Sequence, residues 1–298
     1  MKFAAIDIGS NAVRLLISNV YESINGPLFK KSSLIRLPIR LGEDVFVHGK
    51  ISEKKELKLT MAMSAFKNIM DIHEVISYRA CATSAMREAI NGRDVAERIF
   101  QKSGVQIEIV SGATEAEIIY ANHIAEGLDN KFDYLYIDVG GGSTELTLFS
   151  NGYIKSSRSF NIGTIRLLHN KIEKWQWDEM KQWIKQQVIS NKPIQAIGSG
   201  GNINKLYKLA KIKEGKALSY EKLKELEVIL NKYTYEERME IIGLNPDRAD
   251  VIVPAAKIYL TAMKVAECKK IYVPQIGMSD GLIHLQYETY KKQHKYSL

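Results

Sequence analysis

Two stretches decide the fold: Ala5-Ile6-Asp7-Ile8-Gly9-Ser10-Asn11 and Ile137-Asp138-Val139-Gly140-Gly141-Gly142-Ser143-Thr144. In each, an apolar run delivers an aspartate, small and hydroxyl residues follow, and a second apolar run begins. That second run is Val13-Arg14-Leu15-Leu16-Ile17 in one copy and Glu145-Leu146-Thr147-Leu148-Phe149 in the other. Glycine, serine and asparagine supply turn chemistry between strands, so each stretch predicts a β-hairpin. An aspartate at a strand end orients a hydrated Mg²⁺ or a water, and small residues let backbone N–H groups approach phosphate oxygens. One such hairpin alone reads as a turn and nothing more. Two in one chain read as a paired phosphate clamp. Neither is a Walker A loop, because no Gly-Lys-Ser/Thr follows, and neither fits the GxGxxG dinucleotide turn. A third glycine loop, Gly198-Ser199-Gly200-Gly201-Asn202, lies between a predicted strand (194–197) and a helix, where N–H groups suit an anion.

Around these hairpins, strands and helices alternate. A helix is predicted from Ser52 to about His73, with Leu57, Met61, Ala65, Ile69 and Ile72 near one face. Strands follow at 75–81 and 105–110, and short helices open at Thr83 or Ser84 and at Asn91-Gly92. Thr114 is expected to cap a helix running through Ala125. After the second hairpin come a third strand at 153–160, a long helix after Pro246, a strand at 270–273 and a final helix. Interleaving of this kind makes the fold class α/β. A polar stretch from Gly127 to Asp133 predicts the domain boundary, giving domains 1–126 and 127–298, with the final helix open to packing back on the first.

The chain has 298 residues, 45% hydrophobic and 26% charged, which excludes disorder and fibrous classes and suits two domains. No apolar run approaches the roughly 18 residues of a membrane helix. The N-terminus meets Asp7 too early for a secretory h-region. Two distant cysteines, Cys81 and Cys268, make a disulfide framework or cysteine–zinc site improbable, so a cytoplasmic location is expected. Lys+Arg 42 against Asp+Glu 34 gives a net charge of +8, which favours a polyanionic partner. The lysines are spread out and no aromatic–basic motif accompanies them, so nucleic acid is not expected. Six histidines show no HExxH or close pairing and read as packing or surface residues. Trp175, Trp177 and Trp183 read as packing or an interface.

Taken in order, four motifs resemble the exopolyphosphatase / guanosine pentaphosphate phosphohydrolase (Ppx/GppA) family: 5–11, Ala82-Thr83-Ser84-Ala85-Met86-Arg87-Glu88-Ala89, Val110-Ser111-Gly112-Ala113-Thr114-Glu115-Ala116, and 137–145. Arg248-Ala249-Asp250 and Gly281-Leu282 extend the resemblance almost to the C-terminus. It implies two ribonuclease-H-like domains of the actin-like ATPase and sugar-kinase superfamily, with a phosphate-binding cleft between them. It also implies a Mg²⁺-dependent enzyme (Mn²⁺ as a substitute) that releases orthophosphate from inorganic polyphosphate, or removes the 5′-phosphate of guanosine pentaphosphate. Carried over by position, Glu115 is the catalytic glutamate that activates water, and Asp138 acts beside it. Gly9, Ser10, Asn11, Arg87, Gly141, Gly142, Ser143, Thr144 and Arg248 bind phosphate. Asp7, Asp138 and Glu145 lie near the metal.

Read from chemistry alone, Glu115 in a first helical turn is better taken as a residue answering the helix dipole, and Arg87 as a surface ion pair. Asp138 after an apolar strand leans functional, since burying an unpaired carboxylate is costly. The chain departs from the family pattern at Ser279-Asp280, where Arg-Glu commonly stands, at Ala255-Ala256, and at Arg14, which is open between reaching phosphate and facing solvent. A kinase of the same superfamily and a non-catalytic polyphosphate- or alarmone-binding sensor are the rival readings. A homodimer is left open. Short or medium polyphosphate is expected as the preferred substrate, because longer family members continue into a helical region beyond the two domains.

Overall fold

The computed structural model describes residues 1–24, 26–122, 129–188, 192–213 and 215–294. The predicted boundary at 126/127 and the end of the helix expected through Ala125 lie outside them. By its internal contacts the chain forms two units, 1–122 with 277–298, and 123–276.

The first unit opens with β1 (Lys2–Ile8), β2 (Val13–Tyr21) and β3 (Leu28–Leu37), an antiparallel meander. Next come α1 (Leu41–His48), α2 (Glu53–Ile72), β4 (Ser77–Ala82), α3 (Ser84–Glu88), α4 (Gly92–Ser103), β5 (Ile107–Ile109) and α5 (Gly112–Tyr120). Strand order is β3-β2-β1-β4-β5, with β4 and β5 joining in parallel. Phe3, Ala4, Ala5 and Ile6 on β1 are fully buried, as a central strand covered on both faces requires.

The helix predicted at 52–73 forms as α2, capped by Ser52, which accepts from the Lys55 N–H. Its buried face is not the expected one. Leu59, Met63, Phe66 and Met70 face the core, while Leu57, Met61 and Ile72 are exposed. Two apolar series with helical spacing share this helix, and periodicity alone does not choose between them. The cap of α5 is Ser111 rather than Thr114: the Ser111 hydroxyl accepts from the Thr114 N–H at 3.1 Å. A side-chain oxygen caps the N–H two or three residues ahead, which places the cap three residues before the site expected.

The second unit repeats the plan with β6 (Asp133–Val139), β7 (Thr144–Ser150) and β8 (Tyr153–Phe160), again an antiparallel meander. There follow α6 (Thr164–Leu168), α7 (Lys174–Gln187), β9 (Ile194–Ser199), α8 (Gly201–Leu209), β10 (Leu218–Ser219), α9 (Tyr220–Lys232), α10 (Tyr235–Glu240), α11 (Pro246–Ala249), α12 (Ile252–Val265) and β11 (Lys270–Tyr272). The sheet runs β8-β7-β6-β9-β11-β10, so β6, β7, β8, β9 and β11 stand where β1, β2, β3, β4 and β5 stand in the first sheet. The second sheet thus repeats the strand plan of the first. The helix expected after Pro246 forms as two pieces, with α11 ending before Asp250. Ala255 and Ala256 are fully buried on α12.

The chain then returns to the first unit as α13 (Met278–Gln293). Its Leu282 and Tyr287 are buried with Phe3, Ala5, Leu16 and Ile118 in one core. Asp280 accepts from the Gly277 N–H at 3.0 Å and pairs with Lys31 at 2.8 Å, so this departure from the family pattern caps a helix. Cys81 and Cys268 are buried free thiols, each pushed up to about 12 chiefly by burial. Among the described residues no helix is long and apolar enough to cross a membrane.

Candidate functional site

In the first unit, Asp7 sits at the penultimate position of β1, directly opposite Arg14 on β2. The Arg14 guanidinium donates to Asp7 Oδ2 at 2.6 Å, so this arginine faces the loop's aspartate. The loop between the strands is a four-residue turn in which the Gly9 N–H donates to the Ala12 carbonyl. The Ser10 hydroxyl lies 2.8 Å from that of Ser84, the first residue of α3. Two N–H groups at the start of α1 hold the loop from behind: Gly42 donates to the Ser10 carbonyl at 2.8 Å and Arg40 to that of Asn11 at 3.0 Å.

Also in this unit, Arg87 on α3 and Glu115 on α5 meet. One Arg87 nitrogen, Nη1, donates both to Glu115 Oε1 and to the Val110 carbonyl, each at 2.7 Å. Glu115 is 6% exposed, which a charged carboxylate tolerates only with such a partner. Arg87 also lines a cavity of about 660 Å³ with Arg93, Gln106 and Ser111.

In the second unit, Asp138 stands on β6 opposite Glu145 on β7, the same two hairpin positions as Asp7 and Arg14. Glu145 is buried, and both the Ser143 and Ser159 hydroxyls donate to its Oε1, at 2.6 and 2.9 Å. The fully buried Thr144 hydroxyl donates to the Ile162 carbonyl at 2.5 Å. Gly140 to Gly142 form the turn, closed by the Gly140 N–H on the Ser143 carbonyl.

The third glycine loop packs beside this one. Gly200 has φ +96°, and a Cβ there would lie 2.9 Å from Asp138 Oδ1, so the loop cradles that carboxylate at van der Waals distance. Arg248 on α11 donates to Asn202 Oδ1 at 2.6 Å and lies so close over Gly201 that a Cβ would fall 2.1 Å from its Nη2. Tyr259 of α12 donates to the Ser199 carbonyl at 2.5 Å; burial first, and the Asp138 charge second, push its hydroxyl well above the usual tyrosine range.

The structure thus joins Arg87 with Glu115 in one unit and groups Asp138, Glu145, Ser143 and Arg248 around two glycine loops in the other. Among the described residues no three His, Cys, Asp or Glu side chains cluster as a protein-only metal cage. An all-oxygen pair such as Asp138 and Glu145 does fit Mg²⁺, which takes one or two carboxylates and completes its shell with waters and substrate phosphates. Sequence reasoning missed Gly163 and Arg166, which reach the second loop only through tertiary contacts, and gave Ser84 a helix start but no part in the first loop. The Asp7–Arg14 pair was within reach, since a four-residue turn sets positions 7 and 14 opposite each other.

The model of the Ppx/GppA phosphatase family matches residues 28–289. A bifunctional 3-dehydroquinate synthase/phosphatase of Fusobacterium nucleatum is 29% identical over 276 residues, 84% of this chain and 41% of that one. Exopolyphosphatase 1 of Mycobacterium leprae is 24% identical over 312 residues, 95% of this chain and 88% of its own. The solved structure of an exopolyphosphatase from Cytophaga hutchinsonii superposes with a TM-score of 0.83 at 24% identity, covering 97% of this chain and 98% of that one, which shows the fold.

Proposed function

The chain belongs to the Ppx/GppA phosphatase family, and from that premise we propose that it is an exopolyphosphatase, hydrolysing the terminal phosphoanhydride bond of inorganic polyphosphate. The observation that carries this reading is Glu115: a buried carboxylate at a helix start, held by Arg87 through one oxygen. Hydrolysis needs an oriented water, a base for its proton, and donors that neutralise charge on the transferred group. Glu115 takes the proton as the water oxygen bonds to the terminal phosphorus. The anhydride P–O bond breaks, and orthophosphate leaves a chain shorter by one unit. Arg87, fixed by its second bond to Val110, sets the orientation of Glu115 and supplies positive charge for phosphate. The loop amides at 9–11 and 141–144, together with Arg248, bind phosphate oxygens.

Asp138 and Glu145 are the carboxylates assigned to Mg²⁺, Mn²⁺ being the substitute; Asp7 holds the equivalent hairpin position in its own unit. When bound, that ion supplies Lewis-acid polarisation of the phosphoryl oxygens. The protein's own part is to hold the carboxylates: hydroxyl donors fix Glu145, the Gly200 turn confines Asp138, and Arg14 orients Asp7.

The decisive experiment is orthophosphate release from polyphosphates of defined length, beside guanosine pentaphosphate, for the native chain and Glu115→Gln. The amide keeps the shape and cannot take a proton, so turnover is expected to fall by about 10²–10⁴, with substrate binding kept. Near-native turnover in the variant removes Glu115 from the base role, and release from guanosine pentaphosphate alone reassigns the substrate.

A further inference from the structure

All three glycine carbonyls of the second loop are taken from one side. The Thr164 N–H donates to the Gly140 carbonyl at 3.0 Å, the Ile165 N–H to that of Gly141 at 2.8 Å, and Arg166 Nε to that of Gly142 at 2.6 Å. In a trans peptide the carbonyl of one residue and the N–H of the next point in opposite directions. No cis peptide occurs among the described residues. The N–H groups of Gly141, Gly142 and Ser143 therefore all point away from α6. Successive amides aimed one way form an anion nest.

The first loop is built the same way. Its Ser10 and Asn11 carbonyls are held by Gly42 and Arg40 at the start of α1, which turns the N–H groups of Asn11 and Ala12 outward. Helices α1 and α6 hold equivalent places, each being the first helix after the third strand of its meander. In the first loop these two donors are backbone amides. In the second, the third donor is a side chain.

We propose that Arg166 is a positioning residue for the phosphate site, acting through the Gly142 carbonyl to hold the Ser143 N–H toward bound phosphate. Its charge touches no substrate; its Nε is the working atom. Gly142 has no Cβ to resist rotation of the following peptide, so without that bond the peptide turns and offers an oxygen where phosphate needs a donor. Gly163 makes the arrangement possible, since a Cβ there would lie 2.4 Å from the Gly141 oxygen and the Gly142 carbon. The inference rests on reading this loop as the phosphate site.

Three variants separate donor from charge. Arg166→Gln places a neutral NH₂ the same number of bonds from Cα as Nε; Arg166→Met puts a methyl there; Arg166→Lys keeps the charge and moves the donor one bond outward. The readouts are KM and kcat for orthophosphate release from polyphosphate, and the rise in unfolding temperature caused by inorganic tripolyphosphate. Arg166→Met and Arg166→Lys are expected to raise KM about tenfold, the scale of one oriented hydrogen bond to a charged group, and to blunt the tripolyphosphate shift. Arg166→Gln is expected to stay within about threefold of the native KM. If the Met variant fails to fold, Gln against Lys still decides, with Gln the better by this account. Equal loss in Gln and Met, Lys outperforming Gln, or native values throughout overturns the positioning role. A native chain that neither releases phosphate nor responds to tripolyphosphate overturns the functional reading first, and this inference with it.

Discussion

Asp7 and Asp138 hold the same place in two copies of one hairpin, yet each faces a different charge. Opposite Asp7 is Arg14; opposite Asp138 is Glu145. Like charges directly across a strand pair are destabilising, by roughly 0.2–1 kcal/mol, and here the two serine hydroxyls on Glu145 offset part of it. A divalent cation would offset the rest. Asp138→Asn is therefore expected to act in two directions. Without metal it stabilises the chain by roughly 0.5 kcal/mol in urea unfolding, because the repulsion is relieved. With Mg²⁺ it loses the stabilisation that a bound ion confers by mass action, and the metal needed for half-maximal activity rises. A variant that gains stability from Mg²⁺ as the native chain does, or full native activity in excess chelator, removes these carboxylates from the metal. At this scale the sequence was legible where chemistry is local. Asp7, Asp138 and the glycines announce themselves by strand, turn and strand. Gly163 and Arg166 do not, because their work is done on a loop some twenty residues upstream.

Among the elements, α2 and α4 show what local pattern does and does not specify. Start, stop and length of α2 follow from Ser52 and the apolar run, whereas the choice of buried face depends on what packs against it. Likewise β3, with Lys30, Lys31, Ser32 and Ser33 at its middle, lacks the apolar alternation of a half-buried strand, because it is the edge of its sheet. Arg98 on α4 grips Glu56 on α2 with Nε and Nη2, each at 2.7 Å. Those hydrogen bonds hold the Glu56 carboxyl below the usual range, outweighing burial, which acts the other way. A carboxyl whose folded pKa is depressed contributes stability that is present above the unfolded value, about 4.3, and lost as pH falls through the lower folded value. Arg98 is largely solvated, so the pair is screened. Glu56→Gln is expected to cost about 0.5–1 kcal/mol at pH 7, with the gap closing toward pH 3 and shrinking in high salt. A gap that persists at low pH would mean that packing between the helices, and not charge, is what the substitution disturbs.

Across the whole molecule the chain leaves the first unit, builds the second, and returns, so the first core depends on the C-terminal helix. Leu282 and Tyr287 of α13 are fully buried with residues of β1, β2 and α5. Gly281 lets the helix close in, since a Cβ there would lie 1.9 Å from the Ile118 oxygen. Among the described residues, the second core, built around Leu135, Ile137, Ile203 and Ile258, contains nothing from α13. All three tryptophans, Trp175, Trp177 and Trp183, belong to the second unit, and Trp183 is buried against Phe160 with ring centroids 5.7 Å apart. Tryptophan fluorescence therefore reports the second unit alone, while far-ultraviolet circular dichroism reports both. Leu282→Ala removes a buried side chain and leaves a cavity, a change that costs about 2–5 kcal/mol against the 5–15 kcal/mol that holds a typical domain. The dichroism of this variant is expected to show an early unfolding phase at lower urea, with the fluorescence midpoint unmoved. If both signals shift together by the same amount, the two cores unfold as one cooperative unit, and the division of the chain is one of packing and not of stability.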